Sequence, residues 1–232
     1  MTGSEDPRTS LAEMALAIHE EESVVETVEL VLDFARSAVG CSQAGVVFVH
    51  AKGRIESVAS TDLGVDALHA REMVLGDGPD LSIAPDHTSV VVHDTRRERR
   101  WPGWAAAAEE CGLRSMIGVR LYTGQRTLGS LNLYDHRPDR FSAEDLQVAH
   151  VLARHAALAL SRVQESANLR QAIDARKLIG QAQGILMERY DLDDARAFEV
   201  LRRYSQNANT KLRDVAQLIV DTRLLPGEAS DL

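Results

Sequence analysis

The sequence predicts an α+β fold: an antiparallel sheet flanked by helices, followed by a helical stalk and an all-α three-helix unit. Three observations lead there. Eleven of the fifteen glycines precede residue 125, so turn chemistry is concentrated in the first half. In that half β-branched runs pair into hairpins, without the helix between every strand pair that a parallel sheet requires. After Pro138 no proline occurs until Pro226, and the apolar residues recur at three and four.

The elements follow in order. Ser23 with Glu26 forms a capping box, Val24, Val25, Val28, Leu32 and Ala35 keep a helical rhythm, and Gly40 supplies the stop. AGVVFVH (44–50), the turn at Lys52 and Gly53, and RIESVAS (54–60) read as a hairpin. A helix over 66–75 leads into GDGPD, whose glycines and proline predict a loop, and SVVVHDT (89–95) is a short buried strand. WPGWAAAAEECG makes a helix ended by Gly112, and SMIGVRLYT and LGSLNLYD flank a turn around Gly124 as a second hairpin, with Ile117, Val119 and Leu121 on one face. Ser142 then caps a helix with Glu144 and Asp145 in its first turn and Phe141 set against Leu146. Leu146, Ala149, Ala153, Ala156, Leu160, Val163 and Ala167 form a seam along it that predicts a stalk paired with a second copy. The seam breaks near Arg170.

Composition narrows the function. The chain has 232 residues, 44% hydrophobic and 26% charged, with 26 basic against 35 acidic side chains for a net charge of −9. Such a molecule as a whole is repelled by polyphosphates and anionic membranes, so any nucleic-acid site is local. Residues 1–169 carry net −9, residues 170–223 net +2 and the last nine net −2. Two cysteines, Cys41 and Cys111, make no disulfide framework, no apolar leader opens the chain, and no stretch is long enough for a membrane span, so a cytoplasmic protein is expected.

Motifs for catalysis are missing: no G-x-S-x-G, no Walker loop, no G-x-G-x-x-G and no H-E-x-x-H. His150 and His155, five apart on a helix, are rotated by about 140° and do not make a metal pair. No catalytic residue and no metal site is assigned, and the chain is not expected to be an enzyme. RRERRWPGW (96–104) puts four arginines and both tryptophans in nine residues, which invites a nucleic-acid reading. A loop with Trp on the core and arginines in solvent explains it as well.

The C-terminal segment is more informative. Ile173, Leu178, Ile179, Ala182, Ile185 and Leu186 mark one helix face, interrupted by Gly180 and Gly184, which cost about 1 kcal/mol each against alanine and so imply a close approach of something to the backbone. A second helix is expected from near Asp191, burying Ala195, Phe198 and Leu201, and a third from Asn209 or Thr210, burying Leu212, Val215, Ala216 and Ile219. Lys211 and Arg213 fall in its first turn, where cations oppose the helix dipole and call for an anionic partner.

The string IGQAQGILMERYDLDDARAFEVLRRYSQNANTKLRDVAQLIV resembles the ANTAR domain of bacterial transcription antiterminators over about 55 residues, through A-x-G-I-L-M, A-F-x-x-L-R and L-x-D-V-A in order. Gln183 stands where many members carry lysine. The preceding part is similar to a GAF domain, through GDGP, VVVHDT, RWPGW and the IGVRLY and LGSLNLY hairpin. The resemblance implies a GAF-like sensory domain over 1–160, a helical linker over 161–169, an ANTAR-like RNA-binding domain over 170–226 and a tail over 227–232. It implies a dimeric antitermination regulator that binds hairpins in nascent transcripts, with no membrane and no DNA as partner. The RNA surface is expected at Arg202, Arg203, Tyr204, Lys211 and Arg213, with Gln183 and Asn207 available to base edges. No cofactor is assigned. An unidentified small-molecule ligand is the one candidate, in a pocket walled around Asp77, Ile83, His87, Val91, Ile117 and Asn132, under a lid formed by residues 76–88. Two alternatives stand beside this: a DNA-binding one-component regulator, and a ligand- or haem-binding sensor that binds no nucleic acid.

Overall fold

The computed structural model describes residues 17–18, 21, 23–50, 54–83, 87–124 and 126–225, and the chain divides into two compact units between Gln164 and Glu165. In the first, helix α1 (Val24–Val39) starts where the Ser23 hydroxyl accepts from the Glu26 backbone N–H, and ends at Gly40, whose φ of 66° is the left-handed conformation that glycine adopts without a Cβ penalty. Then come β1 (Gln43–Val49), β2 (Ile55–Ser60), α2 (Leu63–Leu75), the single turn α3 (Pro79–Ser82), β3 (Ser89–Val92), a 3-10 turn (Thr95–Arg97), α4 (Pro102–Glu110), β4 (Ser115–Thr123) and β5 (Arg126–Asp135). The five strands lie in the order β2-β1-β5-β4-β3, every neighbouring pair antiparallel. GDGPD is therefore not all loop: with proline at the first helical position and Asp80 behind it, the chain turns once as α3.

Alternation along the strands sends apolar side chains to both faces. Val46, Ile117, Val119, Leu131 and Leu133 join α1 through Val28, Val31, Leu32 and Ala35. Val90, Val92, Met116 and Tyr134 face the other way and join Val65 and Leu68 of α2, Ile83, and Trp101 and Trp104 beside α4. Both tryptophans are thus core residues. Their arginines stay outside and pair locally: Arg96 with Glu109, Arg97 with Asp94, and Arg100 with Glu98 at 2.6 Å and over the Trp101 ring at 4.3 Å. The nucleic-acid reading of 96–104 gives way to the packing one.

Helix α5 (Ala143–Tyr190) is 48 residues long and runs on past the division between the units. Ser142 and Asp145 cap it reciprocally, the Asp145 N–H donating to the Ser142 hydroxyl at 3.1 Å and the Ser142 N–H to the Asp145 carboxylate at 2.8 Å. Its expected seam meets a different partner from the one predicted. Ala149, Ala153, Ala156 and Leu160 are buried in the same core as α1 and the sheet, and Val163 is buried too. The stripe covers its own domain, because a sheet needs helices on its apolar face before a stalk needs a second stalk.

Close backbone approach fixes one residue of the sheet. At Gly129, opposite Phe48 on β1, an added Cβ would overlap the Val47 carbonyl oxygen, a backbone atom that cannot rotate away. Gly129→Ala is expected to lower stability by about 2 kcal/mol, as an overpacked core does, read as a fall in melting temperature. An unchanged melting temperature would show that β1 and β5 can separate without penalty.

In the second unit the end of α5 packs with α6 (Asp194–Asn207) and α7 (Leu212–Thr222) around Ala182, Leu186, Ala197, Leu201, Val215, Ala216 and Ile219. Helix α6 begins later than expected, with Asp193 as its cap accepting from the Arg196 N–H at 2.8 Å. Its buried face is Ala197, Val200, Leu201 and Tyr204, while Ala195 is exposed and Phe198 is 39% exposed. Alanines at 182, 197 and 216 let the helices approach where a phenyl ring has no room, and the helix is rotated accordingly. Helix α7 likewise starts one or two residues later, with Lys211 and not Asn209 or Thr210 as its cap.

Candidate functional site

Each unit gathers one set of polar or charged residues. In the first, strand β5 points Ser130, Asn132 and Tyr134 to the face covered by α2 and α3, and β4 sets Met116 and Gly118 opposite Tyr134 and Asn132. Asp80 reaches down from α3: one carboxylate oxygen accepts from the Ser130 hydroxyl and from the Asn132 amide N–H, each at 2.7 Å. Glu72 reaches across from α2, and its Oε1 accepts from the backbone N–H groups of Asp80 at 2.8 Å and Leu81 at 3.3 Å, capping the short helix. His69, one turn earlier, lies 3.1 Å from the Tyr134 hydroxyl through Nε2 and 3.2 Å from the Ser57 hydroxyl through Nδ1.

His69, Glu72, Asp80, Ser130, Asn132 and Tyr134 are all buried, while Ser57 is exposed. Loss of water pushes the Glu72 carboxyl up to about 10, helped by the neighbouring Asp80, so Glu72 carries a proton at neutral pH. Burial holds His69 below its usual value and so neutral, and it raises the Tyr134 phenol, with Asp80 and Glu72 adding to the effect. Gly78 makes the arrangement fit, since a Cβ there would occupy the space of the Glu72 carboxyl. Among the described residues, Glu72 Oε2, Asp80 Oδ2, Asn132 Oδ1 and Trp104 Nε1 are buried without a hydrogen-bond partner. No group of three or more His, Cys, Asp or Glu among the described residues could hold a metal. Burial also pushes the Cys41 thiol up to about 11, the opposite of an activated thiolate.

Of the residues expected around the pocket, Ile83 and Asn132 are in this buried region. Asp77 and His87 are exposed. Val91 and Ile117 point to the opposite face of the sheet, against α1, because they alternate with Val90, Val92, Met116 and Gly118. Of the lid expected over 76–88, residues 84–86 lie outside the described residues. Sequence reasoning missed Glu72, Asp80, Ser130, His69 and Tyr134. The period-two spacing of Ser130, Asn132 and Tyr134 was the available signal; nothing in the sequence marks Glu72 as their partner.

In the second unit Gln183 is half-buried and donates to the Asp194 carboxylate at 2.9 Å, tying α5 to the start of α6. Arg202 is exposed and pairs with Glu199 at 3.4 Å, and with Arg196 and Arg203 it lines a hollow of about 420 Å³ that Leu192, Glu199, Val200 and Gln206 complete. The Arg203 guanidinium lies 6.0 Å from the ring centre of Tyr204, which is half-buried on the core. Asn207 ends α6, and Lys211 and Arg213 flank the start of α7, all exposed. Among the described residues Arg203, Lys211 and Arg213 make no ion pair. Gly180 and Gly184 are exposed, with open space where a Cβ would stand, so within the described chain nothing approaches them.

No helix among the described residues is long and apolar enough to cross a membrane. A comparison with curated proteins gives no match. Among solved structures the chain resembles a domain of a two-component sensor histidine kinase protein from Sinorhizobium meliloti (TM-score 0.52, 19% identity, 62% of this chain and 96% of that one). It also resembles the GAF domain of an Acinetobacter phosphoenolpyruvate-protein phosphotransferase (0.55, 14%, 72% and 99%). A third neighbour is a free methionine-R-sulfoxide reductase from Neisseria meningitidis (0.53, 16%, 72% and 97%). At such identities these neighbours show the fold alone. GAF and ANTAR domains are typically regulatory and non-catalytic, although the Neisseria neighbour is an enzyme. The GAF domain family model matches residues 21–161 and the ANTAR domain model residues 167–220. The first match spans more than half of the chain, which therefore belongs to the GAF domain family and carries an ANTAR domain behind its GAF domain.

Proposed function

We propose that the chain is a transcription antitermination regulator that works in the cytoplasm, binding hairpins in nascent RNA through its ANTAR domain under control of its GAF domain. The observation that carries this is the set of cations Arg203, Lys211 and Arg213, exposed and without acidic partners among the described residues, in a domain whose family binds RNA. Paired surface arginines are already neutralised; unpaired ones attract phosphate with little penalty. The domain's net charge of only +2 over residues 170–223 favours a local contact over bulk attraction. Asn207 and Gln206, at the end of α6, supply amide groups for unpaired bases, which hairpin loops expose and duplexes do not. Titration of labelled hairpin RNAs into the full chain tests this, and absence of binding to every hairpin would refute it.

The active species in this reading is a homodimer. Leu169 and Ile173 are 65% and 60% exposed, and with Gly180 and Gly184 they fall on one stripe of α5 within the second unit. A second copy laid along that stripe removes apolar surface from water and brings the glycine backbones close. In this reading the contact lies beyond the 146–167 seam, from the end of the helical linker at 161–169 onward. Replacing Leu169 and Ile173 together by glutamate is expected to give a monomer by light scattering at micromolar concentration while the melting temperature holds. A dimer that survives the substitutions, or a wild-type chain that is monomeric with and without RNA, would contradict it.

A further inference from the structure

The hollow beside α6 has a floor and a rim of different chemistry. The chain leaves α5 through Asp191, whose φ of 49° is left-handed, and the Leu192 N–H donates back to the Met187 carbonyl at 3.2 Å, which sets Leu192 half-buried against the helical core. Val200 of α6 is half-buried on the same core, and the two form an apolar floor. Arg196, Arg203 and Gln206 follow one another along α6 with Val200 at intervals of three and four, so they share its face, and Arg202 and Glu199 complete the rim. Three guanidinium groups thus stand against one carboxylate. Arg196 reaches Asp193 only at 3.7 Å and Arg202 reaches Glu199 at 3.4 Å, with every one of these side chains more than half exposed; such pairs contribute little and give way to a phosphate. Among the described residues Arg203 has no acidic partner and the Gln206 amide no hydrogen bond. A lone phosphate makes no use of the apolar floor, and an apolar side chain of a protein partner makes no use of the arginines. A nucleotide uses both.

We propose that this hollow holds a single unpaired base of the RNA loop, laid on Leu192 and Val200, with the flanking phosphates on Arg196 and Arg202. This rests on the antitermination reading and adds to it the place where the loop is read. The volume of about 420 Å³ lies at the lower end of the roughly 300 to 1,000 Å³ of small-ligand clefts, which suits one base and not a stacked run. Arg203 offers a planar cation against which a base stacks, and Gln206 offers one N–H donor and one carbonyl acceptor to the base edge. A base inside a duplex is stacked on both faces and paired along its edge, so only an unpaired one can enter. A free nucleotide carries the same base and phosphate chemistry, and the experiment separates it from the loop.

The test titrates the full chain with its best-binding hairpin RNA and with versions in which each loop nucleotide in turn is abasic. One abasic position is expected to weaken binding about tenfold or more and the others less than about threefold, with the slope of log affinity against log salt unchanged because no phosphate is lost. Gln206→Ala, at an exposed position, and Val200→Ala, in the floor, should each weaken binding to the intact loop by about threefold or more. Neither should weaken binding to that abasic RNA further, since the group they would touch is gone. Thermal melting of both variants checks that the fold holds. Nucleoside monophosphates at millimolar concentration should displace the hairpin only weakly. Tolerance of every abasic position by the wild-type chain, or an undiminished abasic penalty in both variants, would overturn the site, as would displacement of the hairpin by a free nucleotide at micromolar concentration. The two readings separate: hairpin binding with its salt dependence but no sensitive loop position removes this site alone, whereas no binding to any hairpin refutes the antitermination reading and this site with it.

Discussion

Glu72→Gln is expected to stabilise the protein, and by more as the pH rises. In the unfolded chain Glu72 ionises around its ordinary 4.5; in the folded protein, burial beside Asp80 holds the proton to about 10. The folded state thus binds one proton more than the unfolded state over that interval, and stability contributed by this group is lost as pH rises through it. At roughly 1.4 kcal/mol per pH unit, the cost reaches about 3 kcal/mol at pH 7. Glutamine removes that slope and retains the geometry, since its oxygen can accept from Asp80 and Leu81 N–H while its NH₂ donates to Asp80 Oδ2. Urea unfolding of both proteins at pH 5, 7 and 8.5 should show curves that nearly coincide at pH 5 and diverge steadily above it. A difference independent of pH would mean that Glu72 is ionised in the fold and the carboxyl pair is not as described.

A double substitution Arg203→Ala with Lys211→Ala is expected to weaken hairpin RNA binding about tenfold or more at low salt, and to lower the slope of log affinity against log salt by about 0.7 to 0.9 for each phosphate that the protein no longer neutralises. Both side chains are exposed and outside the apolar core of the helical unit, so the melting temperature should hardly move. Arg202→Ala alone should have a smaller effect, because its charge is partly matched by Glu199 at 3.4 Å. Unchanged affinity in the folded double variant would remove this surface from the RNA interface.

How far the sequence could be read depended on whether a feature is local. Caps are local, so Ser23, Gly40 and Ser142 were legible, as were both hairpins, whose turns and alternation lie within twenty or so residues. Partners are not local. The alanine stripe at 149, 153 and 156 looks the same whether it meets a second copy or its own sheet, and only the fold decides for the sheet. Helix α6 shows the same limit at closer range: Phe198 fits an apolar face by spacing, yet the close packing at Ala182, Ala197 and Ala216 turns it outward. In the candidate pocket the sequence reading set Ile117 beside Asn132, because which face each residue takes depends on the register that pairs Ile117 with Leu133 and Gly118 with Asn132; the Glu72–Asp80 pairing joins a helix to a turn through burial, which no pattern records.

The proposed regulator recognises structured RNA through its ANTAR domain. The most direct test is equilibrium binding of the full chain to a panel of hairpin RNAs, their loop-scrambled versions, fully paired RNA and duplex DNA at one fixed salt concentration. The expected result is binding to hairpins that depends on the loop sequence, weaker binding to paired RNA and little to duplex DNA. Tight binding to duplex DNA with no preference for any hairpin would contradict it.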